Sequence, residues 1–87
     1  MFTIITLTKK QLATLESDCK TVLKVGSSRM VDEYYQRQVR LLDALHECHG
    51  LGYSDHRKLK ANLDTAFAES MKFARLNDEL TEVQFTP

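Results

Sequence analysis

Two glycine breaks, Gly26 and Gly50-Leu51-Gly52, divide the chain into three segments whose apolar residues recur with helical spacing. Few folds suit such a chain. Each break supplies the backbone freedom that ends a helix, and each is followed by a serine able to cap the next one.

Before the first helix, Phe2 to Leu7 is rich in β-branched residues and uncharged, which suggests a short strand. Thr8 then reads as an N-cap, with Gln11 completing a capping box and Leu7 and Leu12 placed for a hydrophobic staple. Leu12, Leu15, Cys19, Val22 and Leu23 share one face, and Gly26 is read as the stop, giving a helix from Thr8 to Val25.

A second helix, Ser28 to His49, starts at a Ser27 or Ser28 cap and carries a broad apolar stripe through Val31, Tyr34, Tyr35, Leu41, Leu42, Leu45 and Cys48. That breadth implies two packing neighbours and makes it the expected central helix. Gly50 is the expected C′ residue, with Leu51 folding back on Leu45. Ser54 is the expected cap of a third helix, Ser54 to Asn77, with Leu59, Leu63, Ala66, Phe67, Met71 and Ala74 inward and Ala66, Ser70 and Ala74 allowing close approach. The predicted fold is mainly α: a compact three-helix bundle forming a single helical domain over residues 1–87, with short extended ends in which residues 2–6 and 82–86 can pair as strands. The strand at 2–6 has two other outlets, its own copy across a dimer axis or the sheet edge of another protein, and the alternative to any strand is that Phe2, Ile4 and Leu7 simply pack on the helices.

Thr3-Ile4-Ile5-Thr6-Leu7, the capped helix with Leu12 and Leu15, the turn at Gly26-Ser27-Ser28 and a second helix from Arg29 together resemble the ribbon-helix-helix DNA-binding fold over the first half of the chain. The resemblance implies a dimer joined through the strand, with outward side chains in the major groove. With Thr3, Ile5 and Leu7 inward, the outward set is Phe2, Ile4 and Thr6, which lacks the charges and amides that hold phosphates and read bases.

Twelve basic and twelve acidic residues cancel, so no overall field draws the chain to nucleic acid or an anionic membrane. No stretch is long enough to span a bilayer, and the apolar opening lacks the flanks of a secretory leader. Cys19 and Cys48 sit inside helical patterns, which favours free thiols in a cytoplasmic protein.

Reactive side chains gather at Asp43, His46, Glu47, Cys48, His49, Asp55 and His56, a window holding all three histidines. His46, His49 and His56 could converge on a metal, but histidines at a helix end are also favoured by its dipole, and no metal or cofactor is expected. Arg57, Lys58 and Lys60 form the most basic stretch, a nucleic-acid surface in the DNA-binding alternative. Tyr34 and Tyr35 beside Arg37 have the composition of an interface centre, although both rings could instead be packed between helices with hydroxyls at the periphery. No phosphate loop, paired-carboxylate motif or nucleophile-base order is present. The expected role is non-enzymatic: an adaptor, inhibitor or accessory factor binding another protein or its own copy through Ile4, Tyr34, Tyr35 and Arg37. Its size would suit a phage or other mobile element.

Overall fold

The computed structural model describes residues 6–85, with side chains from Thr6 to Leu80, and contains α1 (Lys9–Lys20), α2 (Ser28–Glu47) and α3 (Tyr53–Phe85). The expected three-helix bundle is present, and no strand occurs among the described residues. Residues 2–5 of the expected strand, Ile4 included, lie outside them. The expected extended segment at 82–86 is helical as far as Phe85, eight residues beyond Asn77. Glu79, Leu80, Glu82 and Gln84 are good helix formers, and no glycine or proline interrupts them.

α1 begins as its sequence dictates. The Gln11 amide donates to Thr8 Oγ1 at 3.1 Å, and the Thr8 amide donates to Gln11 Oε1 at 2.9 Å, closing the capping box. Its end is a correction, since the helix stops at Lys20 and not at Val25. The cause lies far away in sequence. The Leu23 amide donates to Ser70 Oγ of α3 at 2.9 Å, and Asn77 Nδ2 donates to the carbonyls of Lys24 and Gly26, each at 3.2 Å. These bonds hold residues 21–27 extended along α3. Gly26, at φ 109°, therefore reverses the chain into α2 and is not the stop of α1.

Ser27 caps α2, its Oγ accepting from the Met30 amide, while Ser28 Oγ donates to Asp78 Oδ2 at 2.6 Å. Further down, the Tyr35 ring packs on Phe67 and Asp43 meets His56, so α2 and α3 run antiparallel. α1 packs mainly on α3, as α2 does, so the central helix is α3 and not α2. α3 is long enough, at about 1.5 Å per residue, to run the full length of α2, with α1 lying beside α2 on the same helix. Its length sets a long dimension of 59 Å and a radius of gyration of 16.0 Å, against about 12 Å for a compact domain of this size. The core is one cluster of Leu15, Cys19, Leu42, Leu51, Leu59 and Leu63, with Leu7, Leu12, Tyr35, Val39 and Leu45 packed against it. Each fully buried leucine contributes roughly 1.5–3 kcal/mol. Ala66, Ser70 and Ala74 are buried as expected.

The second break shifts by one residue. α2 ends at Glu47, and His49 takes the left-handed position at φ 60°, with Gly50 following it. The His49 amide donates to His46 O at 3.1 Å and the Gly50 amide to Leu45 O at 2.8 Å, the paired bonds of a Schellman motif. Leu51 then drops into the core beside Leu45. α3 starts at Tyr53, so Gly52 and not Ser54 precedes the helix, its carbonyl accepting from the His56 amide.

A left-handed conformation costs a residue with a Cβ roughly 1–2 kcal/mol. His49→Gly is expected to stabilise the protein by about 1 kcal/mol, read as a higher urea midpoint with an unchanged slope; a lowered midpoint would contradict this account of the turn.

Candidate partner-binding surface

α2 places Met30, Glu33, Tyr34 and Arg37 at helical i, i+3, i+4 and i+7 spacing, on one face. The connector along α3 brings Leu23 and Val25 against that face. Between them lies a groove of about 330 Å³ with Val31 at its floor. Val25 is 84% exposed and Met30 61%, so the groove carries bare apolar surface, with Arg37 exposed beside it.

Tyr34 is half-buried and donates its hydroxyl to Asp18 O at 3.3 Å, tying α2 to the end of α1. Burial, reinforced by Asp18 and Cys19, raises its pKa, so the hydroxyl stays protonated and able to donate at neutral pH. Tyr35 turns the other way. Its ring centroid is 4.3 Å from that of Phe67, and its hydroxyl donates to Asp64 Oδ1 at 2.5 Å, a bond that is the main cause of its raised pKa. Tyr34 and Arg37 thus share the groove, whereas Tyr35 faces α3.

The histidine window folds into a stacked pair. The His46 and His56 rings lie 4.5 Å apart with planes 21° from parallel. His46 Nδ1 is 3.1 Å from the Leu51 carbonyl, which can only accept, so that nitrogen carries the proton. His56 Nε2 is 2.8 Å from Asp43 Oδ1, with Lys60 Nζ 3.7 Å from the same oxygen. His49 stands in the turn, exposed. Among the described residues no group of three His, Cys, Asp or Glu side chains is arranged to hold a metal ion. The cluster closes the α2–α3 turn, joining the two helices through Asp43.

Of the basic stretch, Arg57 and Lys58 are exposed, and Lys60 is drawn toward Asp43. Cys19 is fully buried, with its thiol pKa raised by that burial and then by Asp18, and Cys48 is half-buried; both are free thiols. Burial leaves Cys19 a poor nucleophile. No helix among the described residues is long and apolar enough to cross a membrane.

Two apolar surfaces escape a reading of the sequence. One is an open groove of about 390 Å³ between α1 and α2, floored by Leu7, Leu15, Leu41 and Leu45, which exists because those helices meet mainly through α3. The other is Phe73, Leu76 and Leu80 on the outer part of α3, with the two leucines 57% and 59% exposed. Their spacing was available as a signal, but it becomes visible only once the helix is carried past Asn77.

Compared with protein-family models, with curated proteins and with solved structures, the chain matches none.

The Asp43 carboxyl is held below the ordinary aspartate range, first by the hydrogen bond from His56, against some opposition from burial, and then by the charge of Lys60. A lowered folded-state pKa contributes stability that is present above the unfolded value and is lost as pH falls through the folded one. The side chain is 45% exposed, so screening keeps the contribution small. The stability difference between the wild type and Asp43→Asn should be present at pH 5 and disappear as pH falls below about 4. Chemical denaturation across that range checks it, and a difference persisting undiminished to pH 2 would contradict the assignment.

Proposed function

We propose that this chain is a small non-enzymatic protein-interaction module, an adaptor, inhibitor or accessory factor of the kind a phage or other mobile element encodes. It acts in the cytoplasm and binds another protein through the groove formed by the connector and the start of α2. The supporting observation is the composition of that groove: bare Val25 and Met30, the half-buried Tyr34 and the exposed Arg37. Aromatic, methionine and arginine side chains around a small depression are what interface centres are built from. Free thiols at Cys19 and Cys48 suit a reducing compartment.

A reading from another class, DNA binding, draws on the exposed Arg57 and Lys58 in the first turns of α3. The strand of the ribbon-helix-helix resemblance falls mostly outside the described residues. The two helices it compares are joined here by a connector laid along α3.

Co-purification with the tagged full chain from a lysate of the source cells separates the readings. A captured protein should be lost from Met30→Asp and from Arg37→Glu while their helical circular dichroism stays that of the wild type. Undiminished capture by both would move the contact surface elsewhere. Retention on duplex DNA at low salt that is abolished by Arg57→Ala/Lys58→Ala would favour the nucleic-acid reading.

A further inference from the structure

The open groove between α1 and α2 starts at Leu7, where the chain enters the bundle. Leu7 and Leu45 line one end of it and Asp18 the other, where the Tyr34 hydroxyl bonds the Asp18 carbonyl, so the two helices run antiparallel along its length. Its floor is Leu7, Leu15, Leu41 and Leu45, and Leu41 is 44% exposed. Between Lys10 and Asp18 the groove follows α1 for about 12 Å at the helical rise. Leu7 is seated there already, packed against the core, and Thr6 before it is exposed. The chain therefore leaves the bundle at the mouth of an apolar groove that its own helices do not fill.

We propose that residues 2–5 of the same chain, Phe2-Thr3-Ile4-Ile5, fold back over this groove and cover its leucines. Composition, reach and attachment select this occupant. Phe2, Ile4 and Ile5 are apolar and none of the four residues is charged, which suits a floor of leucine. Extended at about 3.3 Å per residue, the four reach about 13 Å, the length of the groove along α1. Only Thr6 separates them from Leu7, so closing the segment onto the groove costs little loop entropy, and the tether holds it at an effective concentration on the order of millimolar. No free peptide starts with that advantage. The groove also suits an extended backbone, whose outer edge stays in water while Lys10 on the α1 rim can donate to its carbonyls and Asp18 accept from its amides. Neither of those two side chains is in an ion pair among the described residues. Ile4 is thereby committed to the helices of its own copy and not to a strand shared with a second one.

This groove shares no lining residue with the one between the connector and α2, so the two proposals fail independently. In the full chain with isotope-labelled isoleucine and leucine methyls, Ile4 and Ile5 should show nuclear Overhauser contacts to Leu41 and Leu45. A mixture of labelled and unlabelled copies, filtered for contacts between chains, should show none of them. Phe2→Ser/Ile4→Ser/Ile5→Ser should shift the Leu41 and Leu45 methyl resonances and lower the urea midpoint, with helicity unchanged because the substituted residues precede α1. Absence of the contacts in the wild type would overturn the proposal, and so would contacts found only between copies, which would make a second chain the occupant. Leu41 and Leu45 methyls unmoved by the triple substitution would overturn it as well. None of these outcomes bears on the Met30→Asp co-purification, which reads the other groove.

Discussion

A buried hydroxyl on α3 organises the rest of the molecule. Ser70 is almost fully buried; its Oγ donates to Ala66 O at 2.7 Å and accepts the Leu23 amide at 2.9 Å. An extended connector has no ladder of its own, and a buried amide without a partner costs about 1–3 kcal/mol. Ser70 and Asn77 lie about two turns apart on one side of α3, with Asp78 next to Asn77, and the three bind Leu23, Lys24, Gly26 and Ser28 in sequence order. That polar row keeps the connector flat against α3, and it makes α3 the spine on which α1 and α2 are set.

The two ends of the molecule are secured differently. At the α2–α3 turn, a left-handed His49, a buried Leu51 and the stacked His46–His56 pair close a short loop, in which His46 bonds to the Leu51 carbonyl and His56 to Asp43. At the far end the fastening is polar and leaves apolar groups bare around it, notably Val25 and Met30 on the connector side and Leu76 and Leu80 on α3. Apolar surface is also bare toward the turn, at Leu41 and Tyr53, so uncovered apolar groups occur along the whole bundle, and the proposed binding role draws on them.

What was legible in the sequence was local. The Thr8–Gln11 box depends on four consecutive residues and forms as expected, and the inward face of α3 follows from simple periodicity. The end of α1 was not legible, because Gly26 is a plausible stop and nothing near it announces that Ser70 and Asn77 will capture the intervening backbone. Similarly, the α2 cap falls one residue early because histidine can occupy the left-handed position that a neighbouring glycine was expected to fill. Of the residues proposed for partner contact, Tyr34 and Arg37 share a groove, but adjacency in sequence could not show that Tyr35 faces Phe67 instead. The histidine window announced proximity without geometry: stacking depends on the Leu51 carbonyl and on Asp43, which hold the rings face to face.

The central claim is that Ser70 holds the connector against α3, and amide hydrogen exchange at Leu23 tests it most directly. The account predicts a Leu23 amide protected nearly as well as the buried helical amides of α3, with that protection collapsing in Ser70→Ala. Exchange of the wild-type Leu23 amide at the rate of an unstructured peptide would contradict it.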